Sequence, residues 1–214
     1  MSSVGDMSMS PRGDRKDYGG SMDAEVSDAA PRRPRDSEAT REAILAAAVE
    51  AFAERGYDGA STREIAGAAG IDTRLITRYF GSKEVLFEQC VQRTYEKPLL
   101  MLPGHNEAVA RALLEDAPLT QAQGLLLTIR SASNERAVEI MREHLQGNYQ
   151  KQLAAGLSGD DAVARAALLI AVCAGVQLMR NILHDEALRG PASETTVSRL
   201  TAALDAIAVT AGEP

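Results

Sequence analysis

STREIAGAAGIDTRLITRYFGSK, residues 61–83, carries three helix-start signals in one short stretch. Ser61 followed three positions later by Glu64 is a capping-box pattern. Gly70 ends the helix it opens, Asp72 caps a helix over 73–80, and Ser82 caps the next. On residues 73–80, Leu75, Ile76, Tyr79 and Phe80 fall at i, i+1, i+4 and i+5 and make one apolar stripe. Thr73, Arg74, Thr77 and Arg78 occupy the opposite face by the same spacing. A helix of two turns is marginal in water, so its stripe must be buried and its polar face left outside. Two short helices joined by a tight turn, the second with a basic outer face, have the layout of a helix-turn-helix.

That layout gives the polar face a chemistry. Arg offers two parallel donors to guanine O6 and N7, and Thr bonds a base edge or packs its methyl on thymine. Arg74 or Arg78 is the expected base reader. Lys83, in the first turn of the following helix, and Thr62, at the start of the preceding one, are expected at phosphates, which gain from free backbone N–H groups. The bland alternative is a solvated face with no partner. The chain's net charge of -7 argues for that alternative, and residues 38–97 hold eight bases against ten acids. Residues 73–83 nevertheless contain Arg74, Arg78 and Lys83 and no acid. Affinity for DNA would then depend on a few placed cations rather than on bulk charge.

Working outward, a first helix is expected over 38–55, capped by Asp36 or Ser37, with Ile44, Ala48 and Phe52 in one stripe flanked by Leu45 and Val49. Gly56 stops it and Tyr57-Asp58-Gly59 turns the chain. In the second helix Ile65, Ala68 and Ala69 are expected inward. In the fourth, Val85, Leu86, Cys90 and Val91 are, with a domain boundary near Pro98. Residues 1–37 mix Ser, Gly, Pro and both charges without periodicity and read as a disordered tail. Its end, Arg32, Arg33 and Arg35 among prolines, is either solvated or an arm along DNA.

Beyond Pro98, five helices are expected, at 106–116, 119–132, 134–156, 160–185 and 193–211, and no stretch has the alternation of a strand. The last two would form the seam of a homodimer, with Ala171, Ala174, Gly175, Leu178, Met179 and Ile182 on one and Val197, Leu200, Leu204 and Ile207 on the other. Ordinary intrachain core is the alternative for the same residues. The middle helices would enclose a pocket for a small hydrophobic molecule, with Arg130, His144, Tyr149, Gln177 and Asn181 as candidate polar anchors. The fold class is thus all-α, with domains at 38–97 and 98–214 after the tail.

Composition narrows the function. Cys90 and Cys173 match no metal or redox spacing and read as reduced core residues. No secretory signal opens the chain, and the longest apolar run, Ala166 to Val176, is too short to span a bilayer. A soluble, cytoplasmic, nucleoid-associated protein is expected, with no membrane partner. His105, His144 and His184 are scattered, and no phosphate loop, nucleophile elbow or paired-carboxylate motif occurs, so neither an enzyme nor a cofactor is expected. A helical interaction protein that uses this fold without DNA is the rival.

Thr62-Arg63-Glu64-Ile65-Ala66, Ala69-Gly70-Ile71-Asp72, Leu75-Ile76 and Tyr79-Phe80-Gly81-Ser82-Lys83 resemble the N-terminal domain of TetR-family transcriptional regulators, and Phe52, Gly56 and Tyr57 fit that family's first helix and turn. The resemblance spans 38–97. It implies three helices for DNA, about six for ligand and dimer, and a repressor released from a palindromic operator by a small molecule. Carried over by position, the DNA contacts fall on Thr62, Thr73, Arg74, Thr77, Arg78, Tyr79 and Lys83. Tyr79 then has two readings, a ring in the stripe and a hydroxyl at a phosphate. Many members have Gly then Thr where this chain has Arg74 and Leu75, so a cation extends here where others bring the backbone close.

Overall fold

The computed structural model describes residues 34–95, 104–115 and 119–209, and no strand occurs among them. Ten α-helices follow in order: α1 (Pro34–Gly59), α2 (Thr62–Ala68), α3 (Thr73–Phe80), α4 (Lys83–Tyr95), α5 (Asn106–Leu114), α6 (Leu119–Ser131), α7 (Glu135–His144), α8 (Lys151–Ala155), α9 (Ala162–Gln177) and α10 (Glu194–Ala208). Leu145–Gln150 and Leu178–Ile182 are π-helical. The first joins α7 to α8 and the second extends α9, so the helices expected at 134–156 and 160–185 are each one rod with a widened turn inside. Arg32, Arg33, Pro98, Pro103 and Pro118 lie outside the described residues.

Helix α1 starts at Pro34, so Asp36 and Ser37 lie inside its first turns rather than capping it. Proline suits that place, because its fixed φ is already helical and its missing N–H would have had no partner. The expected stripe is buried: Ile44, Ala48 and Phe52 are sealed, Leu45 nearly so and Val49 half-buried. Ile65 from α2, Ile76 and Phe80 from α3, and Leu86, Phe87, Cys90 and Val91 from α4 close around it. Phe87 meets Phe52 edge-on at 5.0 Å and Tyr57 at 4.9 Å, pairs that add about 0.5–1.5 kcal/mol each beyond burial. Two inward assignments are off by two positions. Val85 is 38% exposed and Phe87 takes the core instead. Ala68 is exposed and Ala66 is buried. In both cases the bulky partner opposite selects the helix face, which spacing over one or two turns does not.

This core continues into α6 and α7 through Leu127, Ala137, Ile140 and Met141. The joint is at Gly56, where α1 breaks with φ 69° and ψ -179°. A Cβ there would stand 2.2 Å from the Arg130 carbonyl oxygen. Around it, Arg130 Nη1 donates to the Ala53 carbonyl at 2.7 Å and also to that of Glu54. The Tyr57 N–H donates to Ser131 Oγ at 3.0 Å, and Asn134 Nδ2 to Asp58 Oδ1 at 2.8 Å. The Arg130 bonds satisfy carbonyls that the end of α1 leaves open, and Ser131 takes the Tyr57 N–H.

A second core forms from α5, α8, α9 and α10, centred on Leu113, Leu114, Leu153, Leu169, Val197 and Leu204. Val197 and Leu204 therefore belong to the chain's own core, not to an intermolecular seam; α5 and α9 cover them. Two arginines are buried with them. Arg165 donates to Asp161 Oδ1 at 2.8 Å, to the Ala208 carbonyl at 2.6 Å and to that of Ser158. Arg180 donates to the Leu188 carbonyl. Each places a cation at backbone carbonyls; for Ala208 these close the end of α10.

Gly56→Ala should destabilise the protein by more than about 2 kcal/mol, since the strained φ and the blocked Cβ position both oppose it. Urea unfolding followed by helical ellipticity measures this; a midpoint within error of wild type would contradict the joint.

Candidate functional site

Helix α3 is held from beneath and behind. The Asp72 carboxylate accepts from the Arg74 N–H at 2.8 Å and caps it. Its other end stops at Gly81, whose φ of 77° suits a residue without Cβ. Ile76 and Phe80 are buried, Leu75 and Tyr79 half-buried. Thr73, Arg74, Thr77 and Arg78 are all exposed, and among the described residues neither guanidinium has an ion pair or side-chain hydrogen bond. The expected split of the helix into an anchored and a free face is the one observed.

The flanking helices bring the remaining candidates to the same region. Ser61 and Glu64 complete the capping box, with the Glu64 N–H donating to Ser61 Oγ at 3.2 Å and the Ser61 N–H to Glu64 Oε2 at 3.2 Å. Thr62 opens α2 directly behind that cap. Ser82 Oγ accepts from the Val85 N–H at 3.1 Å, and Lys83 opens α4. The Lys83 ammonium lies 4.7 Å from the centroid of the Tyr57 ring, which directs it without neutralising it. Burial, then the Glu84 and Asp58 carboxylates, holds the Tyr57 phenol above its ordinary pKa, so the ring under Lys83 stays neutral. Of the two readings of Tyr79, the structure shows the ring in the stripe. Its ring packs against the core, and its hydroxyl reaches Ser37 Oγ at 3.2 Å.

A cavity of about 1240 Å³ lies between α1, α4, α6 and α9 and the π-helical segment Leu145–Gln150. Leu45, Val49, Leu125, Leu145 and Ile170 give it apolar wall; Gln89, Gln92, Gln123 and Gln177 give it amides. Tyr95 and Tyr149 meet edge-on at 6.0 Å. The Tyr95 hydroxyl lies 2.8 Å from Thr128 Oγ1, and burial raises the Tyr95 pKa above its ordinary value. At Gly124, also in the wall, an added Cβ would stand 2.0 Å from Thr94 Cγ2, so α6 and α4 touch through the missing side chain.

Of the five polar anchors expected from the sequence, Tyr149 and Gln177 line this cavity. Arg130 does not; its guanidinium is spent on the carbonyls of α1. His144 faces Glu88 of α4 at 3.5 Å, outside the cavity, and Asn181 is likewise not in its wall. Arg130 and His144 both precede the first π-helical segment, and neighbouring helices take them: the α1 backbone holds the guanidinium and Glu88 of α4 faces the imidazole, surfaces that helical spacing does not reveal. Sequence reading missed Gln89, Gln92 and Gln123 and the charged Arg41, Glu42, Glu50 and Arg93, which also line the cavity. Glutamines spaced three apart on α4, Gln89 and Gln92, were the available signal.

Helix α9 and its π-helical extension, Ala162–Ile182, are together long and apolar enough to cross a membrane by length and composition, unlike the shorter run read from the sequence. Its outer side carries Leu168 at 55% exposure, Met179 at 38% and Leu183 at 61%, with Ala171 and Gly175 exposed between them. Ala202, Ala203 and Ala206 of α10 are also exposed. No group of three His, Cys, Asp or Glu side chains able to hold a metal is found among the described residues.

Comparison with known proteins covers both halves. Residues 44–90 match the model for bacterial regulatory proteins of the tetR family, and residues 105–207 match a tetracyclin repressor-like C-terminal domain. The HTH-type transcriptional repressor NicS of Pseudomonas putida is 34% identical over 90 residues, which are 42% of this chain and 39% of NicS; the chain thus matches about two-fifths of that relative's length. A transcriptional regulator of Rhodococcus sp. Rha1 superposes with a TM-score of 0.56 at 26% identity, over 78% of this chain and 95% of that one. The multidrug binding protein EbrR, solved with ethidium, has the same fold, with a TM-score of 0.56 at 20% identity over 80% of this chain and 99% of that one.

Burial pushes the Cys173 thiol up to about 12 and raises that of Cys90 further above its ordinary value. The native protein should therefore show no fast reaction with an aromatic disulfide reagent at pH 8, and two thiols should appear on unfolding. Rapid labelling of either in the native state would contradict the packing.

Proposed function

We propose that this chain, which belongs to the TetR family of bacterial transcriptional regulators, is a cytoplasmic homodimeric repressor whose α3 reads the major groove and whose cavity takes a small hydrophobic effector. The carrying observation is the free face of α3. Two guanidiniums project from a helix whose other face is buried, with none of their hydrogen-bonding capacity used among the described residues. In this reading Arg74 and Arg78 take base edges, Thr73 and Thr77 lie beside them in the groove, and Thr62, Tyr79 and Lys83 grip phosphates.

One such unit reads only a few base pairs. A dimer places two readers about 34–36 Å apart on a near-palindrome, which is what makes an operator specific. The exposed apolar stripe of α9, beside the small outer face of α10, supports a seam formed by these two helices. A membrane is the weaker occupant of that stripe, because Arg165 and Arg180 sit on the same rod and use their donors on the chain's own backbone.

Tyr149 and Gln177 are the anchors proposed for the effector, within the apolar wall of the cavity. EbrR holds ethidium in the same fold, which supports a small-molecule role for this domain. The effector would bind a conformation whose two readers no longer match successive grooves, and operator affinity would fall about 5- to 150-fold.

Selection from random-sequence DNA with the purified protein should return a near-palindrome. Arg74→Ala with Arg78→Ala should abolish that selection without lowering the melting temperature. Lys83→Ala should weaken all sequences alike and reduce the salt slope by about one. A double variant that still selects the same site would remove α3 as the reader; affinity independent of salt would favour a helical interaction protein. For the seam, Leu168→Glu should convert a dimer in sedimentation equilibrium to a monomer. A variant that sediments as wild type would move the interface elsewhere.

A further inference from the structure

Arg41 stands where the cavity meets α3. It lines the cavity from α1, beside Gln89 of α4, and its Nη2 donates to Gln89 Oε1. The same guanidinium lies over the Phe80 ring, 5.3 Å from its centroid. Phe80 is the last residue of α3 and one of its two buried side chains. One turn earlier on α1, Ser37 meets the Tyr79 hydroxyl at 3.2 Å. The far end of α3 is thus gripped from α1 by two polar contacts, and one of them shares its donor group with the cavity wall.

We propose that Arg41 is a positioning residue: it holds the C-terminal end of α3 in its reading pose, and a cavity occupant that takes Gln89 or the guanidinium as its partner releases that hold. This rests on the reading of α3 as the DNA-contacting helix. The physical basis is competition for one planar group. A guanidinium bonded edge-on to Gln89 keeps its face free for Phe80. Losing the amide frees the arginine to rotate off the ring, and α3 loses a contact that no other cation supplies among the described residues. The neighbouring Arg93–Glu42 pair is internally neutral and does not substitute for it.

The relay is tested in the full-length protein without any effector. Operator obtained by selection is titrated by fluorescence anisotropy against wild type, Arg41→Ala, Arg41→Lys, Gln89→Leu and the Arg41→Ala, Gln89→Leu double variant. Arg41→Ala should weaken operator binding about two- to fivefold, the loss expected of one partly exposed cation–π contact. Arg41→Lys should recover part of it. Gln89→Leu should weaken binding when Arg41 is present and do nothing further when it is absent. Hydrogen exchange supplies a readout that needs no DNA. The Gly81 N–H, which donates to the Thr77 carbonyl at 2.9 Å, should exchange faster in Arg41→Ala, while amides of α10 keep their protection. Additive single effects, or an Arg41→Ala variant with wild-type affinity and wild-type Gly81 exchange, would overturn the proposal. Faster Gly81 exchange in a protein that selects no operator supports the relay and sinks the DNA reading instead.

Discussion

Gly56 has no Cβ, and the carbonyl of Arg130 occupies the space where one would be. That exclusion lets the end of α1 lie against α6 at backbone distance, and most of the molecule's organisation follows from it. Because α6 approaches so closely, Arg130 reaches the open carbonyls of α1 and Ser131 reaches the Tyr57 N–H. The polar groups at the end of one helix are satisfied by the next layer rather than by water, so the contact is directional as well as tight. A hydrophobic contact alone would hold the helices together without fixing their angle.

Helix α1 then serves three neighbours along its length. Its first turns touch α3 through Ser37 and Arg41, its middle lines the cavity with Leu45 and Val49, and its end is clamped by α6. A long helix is stiff over this distance, so a displacement at one point is felt at the others. On the proposed reading, a molecule bound in the cavity would have a short mechanical route to α3 that does not require unfolding of either core.

The electrostatics show why bulk charge is a poor guide. The chain carries a net -7, yet several acids facing the basic region are already committed. Glu64 bonds Ser61 and Arg55, Asp72 caps α3, and Glu84 pairs with Arg136. Exposed pairs of this kind contribute little to stability, about 0–1 kcal/mol each. Their larger consequence is that the carboxylates are turned toward partners within the chain, leaving Arg74 and Arg78 without local neutralisation. Lys83 rests on an aromatic face, which keeps its charge intact.

By itself the sequence determined what depends on short-range chemistry: the caps at Ser61, Asp72 and Ser82, the two faces of α3, the stripe of α1 and the all-helical class. Each follows from side chains competing for nearby backbone groups or from helical periodicity over adjacent turns, so spacing alone carries it. Tertiary structure decided whatever required knowing the opposite surface. It set Phe87 in the core in place of Val85, turned Val197 and Leu204 inward, and left Leu168 and Met179 outside. It withdrew Arg130 and His144 from the cavity and brought in Gln89 and Arg41, because the close approach at Gly56 commits Arg130 to α1, Glu88 faces His144, and the packing of α1 against α4 brings Arg41 to Gln89. Placement of that kind leaves no mark in the period of the residues concerned; it is fixed by the packing of helices distant in the chain.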